Sequence, residues 1–127
     1  MDGAVLVGRI LFSIVFLLSG INHLTSVQNL SGYAQSKGVP APKFWVVITG
    51  ILLLLGGLSV LFGYQVQIGA LILFIFLILA ALIMHRFWGL SDKQAAQGEM
   101  VQFFKDLALA GAALFLYAYG PGLYSLG

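Results

Sequence analysis

The chain alternates between four long apolar runs and polar breaks of unequal length. The first run, 4–24, is interrupted only by Arg9, Ser13, Ser19, Asn22 and His23. The second, 44–62, carries no ionisable side chain, and the third, 66–88, is almost uniformly large and apolar over its first two-thirds. The fourth, 100–119, stops at Gly120-Pro121-Gly122, because proline cannot continue a helix and the flanking glycines weaken one. Roughly 20 residues at 1.5 Å rise cross a hydrocarbon core of about 30 Å, so each run predicts a transmembrane helix. Of the breaks, 25–43 is the longest. Within it Val27, Leu30 and Ala34 share one side of a helix that Ser26 can cap and Lys37-Gly38 can end. A helix over 26–37, lying at the interface, is therefore expected, as a lid or as a plain surface helix. Pro40 and Pro42 then impose an extended approach to the second run. Gly63-Tyr64-Gln65 is a tight turn that makes runs two and three antiparallel neighbours, and 90–99 reads as a polar loop. The predicted fold is all-α: one polytopic membrane domain, 1–127, an antiparallel four-helix bundle with a short interfacial helix between spans one and two.

Composition agrees. Hydrophobic residues make up 61% and charged residues 8%, against about 25% charged in soluble domains. Water is not the main solvent of such a surface. The six Lys and Arg are scattered and the net charge is +2, which leaves no basic face for nucleic acid. The absence of cysteine excludes disulfides, thiolate-held zinc, iron–sulfur clusters and thiol catalysis by this chain alone. Asp2 stands where a signal peptide has a basic start, and nothing like Ala-x-Ala follows Leu24, so the first run is expected to stay as a span.

The charges inside the apolar runs narrow the chemistry. Arg9, Ser13, Phe16, Gly20 and His23 fall at i, i+4, i+7, i+11 and i+14, one stripe of a helix that should face protein. Gly50, Gly56 and Gly57 mark close packing on span two, and Ala108, Ala110, Gly111, Ala112 and Ala113 a small-residue surface on span four. Lys105 and Asp106 lie about 8 Å inside span four if it starts at Met100, where a charge costs about 2.5–3.5 kcal/mol at the span centre and less near the interface. They need partners. Four antiparallel spans put both long loops on one side, so His23, His85, Lys105 and Asp106 come to similar depth there as a candidate ligand-binding cluster. Adjacent positions sit about 100° apart, so Asp106 is free to accept from His23 or His85 while Lys105 reaches elsewhere. Phe87, Trp88, Phe103 and Phe104 are candidates to pack on a ligand ring. Arg9 belongs to the opposite end, with Gln65, Gln67, Tyr117 and Tyr119, either buried or snorkelling to phosphates. Lys37, Lys43, Arg86 and Lys93 on the loop side against Arg9 on the other predict cytoplasmic loops and both termini outside.

Several stretches together resemble the DoxX family of small four-span membrane proteins. They are Gly8-Arg9-Ile10-Leu11-Phe12 leading into Ser19-Gly20-Ile21-Asn22-His23-Leu24, then Lys37-Gly38-Val39-Pro40-Ala41-Pro42, then Thr49-Gly50 leading into Gly56-Gly57-Leu58. The 85–88 run, Phe104-Lys105-Asp106-Leu107-Ala108-Leu109 and Gly120-Pro121-Gly122-Leu123-Tyr124-Ser125 follow in order. The chain departs from the family pattern in two ways: Asp106 stands where Asn is more usual, and Leu52, Leu53 and Leu54 fill the region where many members carry a Glu. The resemblance implies a four-helix membrane fold in a bacterial-type inner membrane and a loose link to redox biology. Some relatives are subunits of thiosulfate:quinone oxidoreductase, and others are associated with thiol and oxidative-stress complexes. On that basis the chain is expected to be a membrane anchor or accessory subunit with a redox partner protein, with quinone or lipid as the ligand of the loop-side cluster. Whether it performs chemistry itself is open. The alternatives are a small-solute transporter, for which four short spans leave little room without homo-oligomers, and a purely structural protein. Haem held by His23 and His85, or a metal such as zinc held by that pair with Asp106, is weighed against the commoner interfacial role of helix-end histidines and disfavoured.

Overall fold

The computed structural model describes residues 1–127 as five α-helices and no strand: α1 (Asp2–Thr25), α2 (Val27–Ser36), α3 (Pro42–Phe62), α4 (Val66–Ile83) and α5 (Lys93–Tyr119). The helices α1, α3, α4 and α5 are long and apolar enough to cross a membrane. Helix α1 packs on α3, α3 on α4 and α4 on α5, while α2 rests on α3. Both long connections, 26–41 and 84–92, fall at one end of the bundle; both termini and the α3–α4 turn fall at the other.

Small residues set the helix spacing. Gly20 of α1 meets the Gly50 carbonyl and Leu54, and Gly50 in turn meets Cβ of His23. Gly57 lies against Leu17, while Gly56 and Gly69 let α3 and α4 approach through Leu73 and Ser59. Four of the five residues of the predicted stripe of α1, Arg9, Ser13, Phe16 and Gly20, are its buried face, and His23 is half-buried. Phe16, Leu53, Val60, Leu73, Leu77 and Ala110 form the central cluster, with side chains from all four spans. On α5 the small-residue surface is only partly internal, with Ala110 and Ala113 buried and Ala108 exposed. Large apolar side chains such as Leu18, Leu55, Ile68, Leu79 and Phe115 cover the outside, as a lipid-facing surface requires.

Two element boundaries differ from the sequence expectation by more than two residues, and Pro42, expected in the extended approach, is the first residue of α3. The third span ends at Ile83 rather than at 88. The amides of Met84 and His85 both bond the Ala80 carbonyl, at 2.8 and 3.2 Å, which closes the helix and releases His85 into the connection. Eighteen residues still span about 27 Å. The segment 93–99, expected as loop, is the start of α5, because the Asp92 side chain caps the helix by accepting from the Gln94 amide at 3.2 Å. Ser26 precedes α2 but makes no cap; its hydroxyl turns back to Asn22. The last residues also fold back. The Leu126 and Gly127 amides donate to the carbonyls of Phe62 and Gly63, and the Gln65 amide donates to Gly127, pinning the tail across the α3–α4 turn.

Candidate functional site

The densest polar contact in the molecule centres on Glu99, a residue outside the predicted cluster. Helix α5 has 27 residues, about 40 Å, so its first turns extend beyond a hydrocarbon core of roughly 30 Å. Glu99 sits in that extension. Lys37, at the end of α2, places Nζ 2.5 Å from Glu99 Oε2. The Tyr33 hydroxyl lies 2.9 and 2.8 Å from the two carboxylate oxygens and 3.1 Å from the Met84 carbonyl. A hydroxyl has one proton to donate, and the charged acceptor takes it. Burial first, then the Glu99 hydrogen bond and charge, push the Tyr33 phenol above its ordinary pKa, so it stays a donor. Tyr33 and Lys37 are four residues apart on one side of α2, and Lys37 Nζ lies 5.5 Å from the centre of the Tyr33 ring. The contact therefore ties α2 to the start of α5.

His85 extends the network into the bundle. Its Nδ1 lies 3.3 Å from Glu99 Oε1 and its Nε2 3.6 Å from Asp106 Oδ2. Glu99 and Asp106 are seven residues apart, two turns along one face of α5, so one imidazole bridges them. The Glu99 contact is within hydrogen-bond distance, while the Asp106 contact, at 3.6 Å, is an electrostatic one beyond it. Asp106 is 6% exposed and lies within the span. Its partner is thus His85 and not His23.

The other predicted residues are placed elsewhere. His23 points to α3, with Nδ1 3.0 Å from Thr49 Oγ1 and 3.2 Å from the Val46 carbonyl. Lys105 is exposed, turned away from the face that buries Asp106. The aromatic candidates pack on each other: Phe87 contacts Phe103 with centroids 5.4 Å apart, Trp88 contacts Phe103 at 5.6 Å, and Phe104 adjoins Phe87 at 5.9 Å. No three His, Asp or Glu side chains converge as metal ligands, and the nitrogens of His23 and His85 address different neighbours. Arg9 is buried at the far end, 2% exposed, with Nη2 donating to the Tyr124 carbonyl. Glu99 lies in a stretch, 90–99, whose polar pattern reads as loop, so its place on a helix facing Tyr33 and Lys37 is not apparent from the local pattern. The signals that point to them are the Asp92 cap, the seven-residue spacing of Glu99 and Asp106, and the four-residue spacing of Tyr33 and Lys37.

Comparison with known proteins fits this architecture. A model of the DoxX family matches residues 4–86. The inner membrane protein YqjF of Escherichia coli K12 is 33% identical over 126 residues, covering 98% of this chain and 90% of that protein. The inner membrane protein YphA of the same organism is 26% identical over 121 residues, covering 95% and 86%. No solved structure matches the chain. An integral membrane bundle of four apolar spans, matched by that family model over most of its length and by YqjF over nearly all of it, belongs to the DoxX family.

Proposed function

We propose that this protein is a non-catalytic accessory subunit that anchors a redox-linked partner at the membrane, with its loops in the cytoplasm. One observation carries the reading: Glu99 is saturated by donors from three different places in the chain, Lys37, Tyr33 and His85. A carboxylate so fully paired serves position better than chemistry. It holds α2 and the 84–92 connection as one surface at the loop end, the kind of preorganised face a partner subunit docks on. The redox link comes from the family resemblance. The test is purification from native membranes in mild detergent, wild type beside Glu99→Gln. An oxidoreductase subunit should copurify with the wild type and be lost or depleted with Glu99→Gln while helix content is unchanged. A chain that purifies alone, or partner recovery indifferent to Glu99→Gln, sinks the proposal.

A second reading is favoured by His85, whose two nitrogens link Glu99 near the interface to Asp106 inside the span. That is a line of titratable groups beside the Phe87–Phe103 pair, suited to a quinone headgroup that needs donors at its carbonyls and a proton route. A ubiquinone or menaquinone analogue should then raise the thermal midpoint of the wild type and lose that effect in His85→Ala. Absence of displaceable binding rules it out.

A further inference from the structure

At the end of the bundle opposite Glu99, Arg9 is buried with most of its donors unused. Its Nη2 meets the Tyr124 carbonyl, while Nε and Nη1 are buried without a hydrogen-bond partner. The guanidinium is always charged. The chain has four acids, Asp2, Asp92, Glu99 and Asp106, and none forms an ion pair with Arg9. Asp2 is seven residues away, about 10 Å along α1, and exposed. The other three lie toward the opposite end of the bundle. A buried charge without a counter-charge is strongly unfavourable, and no acidic side chain of this sequence supplies the negative partner of Arg9.

The surroundings indicate its chemistry. Arg9 lies beside the α3–α4 turn: a Cβ added at Gly63 would strike both Arg9 Nη1 and Ser125. The turn joins the ends of two apolar helices long enough to cross a membrane, and the end of a span is where lipid headgroups lie. The next tail residue, Leu126, borders an open groove of about 490 Å³ between α3 and α4, lined by Leu55, Leu58, Phe62, Ile68 and Ile72. The tail thus has a cation with unused donors on one side and an apolar channel on the other.

We propose that this end of the bundle binds one phospholipid, its phosphate seated on Arg9 in place of the Tyr124 carbonyl and one acyl chain laid in the α3–α4 groove. The fork of the guanidinium matches two phosphate oxygens, and each edge of the fork has an unused N–H. The tail acts as the flap that closes over the phosphate.

The test uses the full-length chain, delipidated in detergent, with phosphatidylglycerol, diacylglycerol and inorganic phosphate as separate probes. Phosphatidylglycerol should be retained at one per chain in native mass spectrometry and raise the thermal midpoint, and the other two should do neither. Arg9→Lys keeps the charge but not the fork and should lower phosphatidylglycerol retention by roughly tenfold. Ile68→Trp, at a position 59% exposed, fills the groove without touching the core and should lower it as well, which keeps the comparison decisive if Arg9→Lys does not fold. Equal protection by diacylglycerol removes the phosphate from the proposal, and equal protection by inorganic phosphate removes the lipid. Unchanged retention in Ile68→Trp, or in a folded Arg9→Lys, overturns it.

Discussion

Glu99 shows how a single side chain organises this end of the protein. Its side chain is 16% exposed and that of Lys37 17%, so their pair is screened less than one on an open surface. Glu99→Gln removes the charge that Lys37, Tyr33 and His85 share, and the expected loss is about 1–3 kcal/mol, read as a lower thermal midpoint in detergent. Tyr33→Phe deletes one donor and leaves the Lys37 pair in place, so its loss should be smaller, about 1 kcal/mol. Alkali supplies a further test of Tyr33. Folding raises the phenol's pKa, so its contribution is complete below the ordinary tyrosine value of about 10 and is lost as the pH climbs through the raised value. Ultraviolet titration should show one phenolate that is missing in Tyr33→Phe appearing at higher pH than an unfolded reference, with release of α2 at that step.

At the scale of the element, helix ends and helix spacings have separate causes. The Asp92 cap lengthens α5 and brings Glu99 into the helix, two turns before Asp106. Asp92→Ala should cost about 1 kcal/mol and speed hydrogen exchange at the first amides of α5. The α1–α3 spacing is set by Gly20 and Gly50, which oppose each other's helix with no room for a side chain. Gly50→Leu would drive into Cβ of His23 and into Leu24. It should destabilise the bundle by about 1–3 kcal/mol and break the His23–Thr49 hydrogen bond. Gly111 has open space around it, so Gly111→Ala should be neutral or slightly stabilising; a large loss there would show that α5 has an unseen neighbour. The same thermal melts distinguish these outcomes. The early end of α4 is not marked by a proline or glycine, and Phe87 and Trp88 prolong the apolar pattern past His85-Arg86; the helix closes where the Met84 and His85 amides share the Ala80 carbonyl, with His85 turned toward Glu99.

At the scale of the whole molecule, the bundle has two polar ends joined by an apolar middle. One is a closed network of acids, His85, Lys37 and Tyr33; the other is Arg9 beneath the C-terminal tail. The cysteine-free sequence makes orientation directly measurable. An impermeant thiol reagent should label Leu123→Cys in intact cells and Ser36→Cys only after permeabilisation, and the reverse pattern would invert the topology. Four spans, an interfacial helix and the protein-facing stripe of α1 were legible in the sequence by itself. Each follows from local quantities: the length of an apolar run, the 3.6-residue period, and the conformational limits of proline and glycine. What joins Glu99 to His85 to Asp106, separates His23 from them, turns Lys105 outward and lays the C-terminal tail over Arg9 was decided only by tertiary structure. Those outcomes depend on helix rotation and on where chain ends fold back, and both are set by contacts between residues remote in sequence, as Arg9 and Tyr124 are.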